Sequence, residues 1–403
     1  MKRMFSVAAA AALLACGTAS AQQINAKIGV LTDMSSLYAD ATGIGSVIAA
    51  KMAIADFTKD HPNVKVELVN ADHQNKPDIG TQIANRWFDA ENVDVIVDVP
   101  NSGVALAVSQ VAKEKNKLFL ISGAASSDLT GPKCNANSIH WTYDTWMLAN
   151  GTGKAMVKTG GDTWFFLTAD YAFGHALERD TSAVVVKNGG KVLGSVRHPL
   201  NTNDFSSFLL QAQASKAKVI GLANAGGDTI NAIKQSAEFG IVKGGQKLAG
   251  LLVFATDVNA LGLKIAQGLS LTETWYWDLN DGSRAWTKRW RQERGDASKW
   301  PAMNQAGVYA SIIHYLKARV ALGGSPDGKT VADKMKATPT DDPLFGKGSI
   351  RPDGRVLHPA YLFEVKKPEE SKYPGDFYNL KATIPADEAF RPLKEGNCPL
   401  VSG

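Results

Sequence analysis

Short apolar runs alternate with segments of helical spacing along most of the chain. Residues 26–32 (AKIGVLT) have the pattern of a strand, and 43–58 carries helical spacing through Ile44, Val47, Ile48, Met52 and Ile54. A strand at 64–69, a helix at 79–90, a continuous apolar strand at 93–97, a helix at 103–115 and a strand at 118–121 complete a first series. Strands this apolar suit a parallel sheet covered on both faces, and the strand-helix-strand repetition predicts a doubly wound α/β lobe.

The same rhythm restarts near Trp164. A strand at 164–168, a helix at 173–187 and a strand at 191–196 are followed by apolar strands at 219–223 and 248–254, with a helix at 227–239 between them. The pattern therefore predicts a second α/β lobe of similar size. No Pro/Gly/Ser-rich tether separates the two: the junction runs through strand-like 139–143 (IHWTY), with a second passage at 269–277 (LSLTETWYW). Lobes joined in this way predict a hinge with a ligand cleft between them. The expected division is 22–143 with about 278–355 as lobe 1, 144–277 with about 356–390 as lobe 2, and 391–403 as a C-terminal tail.

Composition leaves this picture intact. Of 403 residues 44% are hydrophobic, 21% charged and 8% aromatic, which argues against wholesale disorder, collagen-like repetition and coiled coil. The formal charge of +5 is modest for this length and demands neither nucleic acid nor an anionic membrane. One stretch, 284–291 (RAWTKRWR), interleaves basic and aromatic residues as a phosphate clamp would. Its Trp286 and Trp290 are spaced i,i+4, however, so the expectation is one buried helix face with no nucleic-acid partner. The helical stretch 305–322 is read as structural in the same way.

Residues 1–21 have the order of a secretory signal peptide: Lys2 and Arg3, an apolar run, then Ala19-Ser20-Ala21. The run is much shorter than the ~20 residues of a membrane anchor. Cleavage after Ala21 and a periplasmic location are expected, with lipidation at Cys16 as the alternative. Cleavage leaves Cys134 and Cys398, both in turn-like surroundings. In an oxidising compartment such a pair is expected as a disulfide, the alternative being two free thiols; nothing beside either Cys suggests zinc.

The usual catalytic signatures are missing. Gly151-Thr152-Gly153-Lys154 lacks the spacing and final hydroxyl of a phosphate loop, and there is no G-x-S-x-G or H-E-x-x-H. Gly43-Ile44-Gly45 opens a helix after a strand but lacks the third Gly and the tight turn of a dinucleotide loop. No catalytic residue, metal or cofactor is assigned. Anion recognition is better supported, because three strand-to-helix junctions place small polar residues where free helix N–H groups would meet a ligand carboxylate: 34–45 (MSSLYADATGIG), 100–103 (PNSG) and 123–127 (GAASS). Helix capping is the competing explanation for each Ser alone.

Several of these segments, Ile28-Gly29-Val30-Leu31-Thr32-Asp33, the run from Leu120 to Thr130 (LISGAASSDLT), Asp170-Tyr171-Ala172-Phe173-Gly174-His175 and Thr202-Asn203-Asp204-Phe205-Ser206-Ser207, resemble the leucine/isoleucine/valine-binding family, the type I periplasmic solute-binding proteins of ABC importers. The resemblance implies two doubly wound lobes, capture of a small carboxylate-bearing solute by hinge closure, membrane permease subunits as partners, and a monomer without cofactor. It also implies that Ser102, Ala124 and Ser126 hold the ligand carboxylate and that Tyr38, Tyr171 or Phe173 pack on the ligand. Asp257 falls where an acidic group for a ligand ammonium is expected, although family pockets often carry Glu. Should Asp257 instead cap the following helix, the ligand need not be an amino acid. Relatives also take aromatic acids, and Trp275-Tyr276-Trp277 would either line a wider cavity or belong to the core. Two other classes stay open: a secreted α/β enzyme with Asp257 or a His as general base, and a sensory ectodomain, for which no second membrane segment or signalling domain is present.

Overall fold

In the computed structural model, which describes residues 22–401, the first series forms a five-stranded parallel sheet. Its strands are β1 (Ile24–Thr32), β2 (Val64–Asp72), β3 (Val95–Asp98), β4 (Leu118–Ile121) and β5 (Ser138–His140), in the order β2-β1-β3-β4-β5. Every residue of β3 and β4 is buried, as runs of Val, Ile, Leu and Phe require when helices cover both faces. The covering helices Gly43–Asp60, Pro77–Asp89 and Ser102–Glu114 start where local chemistry allows. Pro77 needs no amide partner in a first turn, and Asn101 accepts a hydrogen bond from the Val104 amide at 3.1 Å.

The second sheet repeats the winding. Strands β6 (Thr163–Ala169), β7 (Lys191–His198), β8 (Val219–Ala223), β9 (Lys247–Gly250) and β10 (Ser270–Glu273) are parallel, in the order β7-β6-β8-β9-β10. A small antiparallel sheet follows, of β11 (Thr340–Asp342), β12 (Gly346–Ile350) and β13 (Val356–Leu357). Strands β14 (Ala360–Val365) and β15 (Tyr378–Ile384) then extend the second sheet antiparallel to β10. None of these last five strands is anticipated from the pattern above.

Between β10 and β11 the chain returns to the first sheet. The helix Met303–Ala321 lies against Gly43–Asp60, and Trp290 of the helix Asp281–Arg294 donates from Nε1 to the Gly45 carbonyl at 3.0 Å. Trp286 and Trp290 are both buried, which is the single helix face that their spacing predicts. Three passages thus connect the sheets: after β5, after β10, and between β13 and β14. Two expected strands end early, because 139–143 pairs only through His140 and 269–277 only through Glu273. Trp275, Tyr276 and Trp277 are buried in the core beyond β10: Trp275 meets Trp286 edge-on, and both Tyr276 Oη and Trp277 Nε1 donate to the Gly375 carbonyl.

Cys134 and Cys398 are joined in a disulfide with Cα atoms 5.6 Å apart, which ties the tail to the first lobe. Among the described residues no helix is long and apolar enough to cross a membrane. The expected leader, with Cys16 and the cleavage site, lies outside the described residues.

Candidate functional site

The parallel strands of both sheets deliver their carboxyl-end loops to one narrow cavity between the lobes. From the first lobe come Tyr38 and Ala41 after β1, Pro100 after β3, Gly123 and Ala125 after β4, and Tyr143 after β5. Facing them are Tyr171 and Phe173 after β6, Ala225 after β8, and Leu252 and Phe254 after β9. Asn304, second residue of the helix Met303–Ala321, completes the wall. This is where an open α/β sheet with a reversal between β1 and β3 places a ligand.

Asp33 shapes the first loop. Its carboxylate accepts from the amides of Ser36 at 3.0 Å and Tyr38 at 2.9 Å and from Asn75 Nδ2 at 2.8 Å, which fixes the Tyr38 backbone. The Tyr38 and Tyr171 hydroxyls then meet across the cleft at 2.6 Å, and burial pushes both phenols well above their ordinary range. The lobes touch a second time where the Gly227 amide donates to the Leu37 carbonyl at 3.2 Å. Gly226 makes that approach possible: its φ is +58°, and a Cβ there would lie 2.2 Å from the Leu37 oxygen.

The end of β3 is strained. Asp98 and Val99 both hold positive φ, 82° and 54°, a region that a β-branched residue rarely enters. The bend brings Pro100 against Gly123, where an added Cβ would sit 2.6 Å from Pro100 Cα. Asp98 is fully buried, accepts from Thr32 Oγ1 at 2.8 Å, and burial pushes its carboxyl up to about 7. A carboxyl whose pKa is higher folded than unfolded contributes stability that is fully present below about pH 4 and is lost as pH rises through 7. Relative to Asp98→Asn, the native chain should therefore lose about 2–3 kcal/mol between pH 5 and pH 8, measured by urea unfolding at both pH values.

Ser102 opens the helix Ser102–Glu114, and its Oγ accepts from the Ala125 amide at 3.3 Å and the Ser126 amide at 3.1 Å. The two N–H groups at the expected carboxylate position are thus held by Ser102, whose own hydroxyl hydrogen has no acceptor among the described residues. Ser126 Oγ accepts from the Asp128 amide at 3.3 Å and caps the next turn. Ala124 packs with Val104 and Val108 on the far side of the sheet, so Ala125 is the residue that faces the cavity. Asp257 caps the helix Ala255–Leu261: its Oδ2 accepts from the Phe254 amide at 2.9 Å. It lines a separate, more open groove with Asp40 and Asp228, and burial pushes its carboxyl up to about 7.

Of the seven expected ligand residues, the structure therefore puts Tyr38, Tyr171 and Phe173 on the cavity wall. Ser102, Ala124, Ser126 and Asp257 are not among the residues that line it. Tyr143, Asn304 and Phe254 are wall residues that the sequence reading missed. Phe254 belongs to the expected strand 248–254, which ends at Gly250 so that Leu252 and Phe254 turn inward. Tyr143 donates to the Gly123 carbonyl at 2.6 Å and accepts from Asn304 Nδ2 at 3.2 Å, which links the first passage to the third wall element.

Two doubly wound sheets with three connecting passages and a cavity at their facing strand ends define a two-lobed binding protein of the type I periplasmic kind. The chain belongs to the periplasmic binding protein family, whose profile matches residues 25–372. The Leu/Ile/Val-binding protein homolog 6 of Brucella melitensis is 25% identical over 393 residues, covering 94% of this chain and 96% of its own. A periplasmic binding protein from Burkholderia mallei superposes with a TM-score of 0.90 at 51% identity, over 94% of this chain and 100% of that one. A branched chain amino acid ABC transporter periplasmic ligand-binding protein from Burkholderia xenovorans LB400 gives 0.82 at 40% identity, over 93% and 99%.

Proposed function

We propose that this chain, exported and cleaved after Ala21, is the monomeric solute-binding component of an ABC importer. In this reading it captures a small aromatic carboxylate between its lobes and presents the closed form to membrane permease subunits. The observation that carries the ligand class is the cavity wall. It holds five aromatic rings (Tyr38, Tyr143, Tyr171, Phe173 and Phe254) and no charged side chain. An amino-acid ammonium enclosed there would lack a counter-charge, which is costly, while a flat ring gains edge and face contacts. The ligand carboxylate would take the Ala125 amide on the wall in place of its bond to Ser102 Oγ, with the helix Ser102–Glu114 favouring the negative charge.

Branched-chain amino acids form the second reading, favoured by the name of the Burkholderia xenovorans relative. Thermal unfolding separates the two. Benzoate and hydroxybenzoates at one hundred times their Kd should stabilise by about 2.7 kcal/mol, or about 3 °C for a chain of this length, and leucine, isoleucine and valine should not. Stabilisation by the amino acids alone would reverse the choice. Mass spectrometry of the recovered ligand should show it chemically unchanged; product formation would overturn the transport reading in favour of an enzyme.

A further inference from the structure

The wall carries four polar side chains: Tyr38, Tyr143, Tyr171 and Asn304. Tyr38 and Tyr171 share one hydrogen bond, which gives both oxygens a partner but uses only one of the two hydroxyl hydrogens, and Tyr143 both donates to Gly123 and accepts from Asn304. That arrangement fixes the Asn304 amide, because the Tyr143 hydrogen is already committed to a carbonyl and only an N–H can face the Tyr143 oxygen. Asn304 Oδ1 is left buried without a partner, the one such side-chain atom among the described residues that line the cavity. Asn304 is 1% exposed, so water outside the cavity does not serve it. A buried unpaired acceptor on a ligand wall is destabilising until a donor arrives.

We propose that Asn304 is a specificity-determining residue whose Oδ1 accepts a hydrogen bond from a ring hydroxyl of the bound aromatic acid. This rests on the ligand class proposed above and narrows it to hydroxylated single-ring acids. A neutral hydroxyl suits the site better than an ammonium, since no carboxylate shares the wall with Asn304. Binding sites that hydrogen-bond a substrate hydroxyl reject analogues lacking it, because the acceptor stays unpaired in the complex.

Calorimetric titration of the mature chain with benzoate, 4-fluorobenzoate and the 2-, 3- and 4-hydroxybenzoates tests it. At least one hydroxybenzoate should bind tenfold or more tightly than benzoate, while 4-fluorobenzoate, similar in size but without a donor, should gain nothing. In Asn304→Leu the ratio of hydroxybenzoate to benzoate affinity should collapse to within threefold, whatever happens to benzoate affinity itself. Equal affinity for all five acids, or a preference that survives in a folded Asn304→Leu, overturns the assignment of Asn304 and leaves the aromatic reading standing. Binding of no aromatic acid at all overturns both.

Discussion

Replacing Asp144 by Asn should leave the free energy of unfolding at neutral pH unchanged or raise it, because folding disfavours the ionised carboxylate there. Replacing Arg355 by Met should instead lower it by about 3–5 kcal/mol, or about 4–6 °C in Tm for a chain of this length. Asp144 and Arg355 are a buried ion pair with side chains 3% and 0% exposed and Nη1 to Oδ2 at 3.5 Å. Burial pushes the Asp144 carboxyl up and the Arg355 guanidinium down to about 10, so both ions lose more by desolvation than their separation restores. Arg355 still holds its charge at neutral pH and uses it at the passages: Nη2 donates to the Thr142 carbonyl at 2.6 Å, Nε to Val356 at 3.1 Å, and the guanidinium lies 4.5 Å from the Phe390 ring centre. Asn at 144 keeps an acceptor for the Met147 amide, which caps the helix Thr145–Leu148, and removes only the charge. A loss in Arg355→Met therefore reports the buried Asp144 carboxylate left without its partner and the Thr142 and Val356 carbonyls that the guanidinium served. A cycle with Arg355→Met and Asp144→Leu should be strongly non-additive, because removing both charges leaves neither ion orphaned. A loss of about 3 kcal/mol or more for Asp144→Asn, by urea unfolding, would show that the attraction within the pair outweighs the cost of burying it.

The frame of the molecule was legible wherever burial on two faces dictates composition. Leu118–Ile121 and Val219–Ala223 are runs whose every residue is buried, and their expected limits match the strands. Trp286 and Trp290 announced a buried helix stripe by spacing alone, and the two cysteines left by the expected cleavage announced the disulfide. Four of the five later strands were not legible because each is short or largely exposed, and Ala360–Val365 is buried or half-buried without a strict alternation. Tyr378–Ile384 has only its first residue buried, and Val356–Leu357 is two residues long, so neither carries a clean alternation.

The site was legible by region and not by residue. Strand ends and their small polar junctions pointed to the right cleft, since winding order sets where ligands bind. Which side chain faces inward depends on turns of one residue, and on partners far away in sequence. Asn304 stands 161 positions from the Tyr143 hydroxyl that orients it, and no local pattern encodes that pairing. Asp257 shows the opposite case: a carboxylate three residues past Phe254, where helix capping explains it without a ligand.

Ala125→Leu should weaken capture of any ligand by more than one hundredfold while the chain stays folded, and Ala124→Leu should do the reverse. The two are adjacent just beyond β4, where successive side chains point to opposite faces. Ala125 is on the cavity wall with Gly123 and Pro100, so three added carbons there occupy ligand space. Ala124 is fully buried in the cluster that contains Val104, Val108 and Phe119, and its carbonyl accepts from His140 Nε2 at 2.8 Å. Leu at 124 overpacks that layer and should cost about 1–3 kcal/mol, while the folded fraction binds ligand within threefold of the native chain. Titration calorimetry paired with urea unfolding reads both quantities for both variants. Loss of binding in Ala124→Leu with full binding in Ala125→Leu would mean that the loop after β4 presents the other residue to the ligand. The Ser102-held amides would then have to be reassigned with it, because Ala125 supplies one of them.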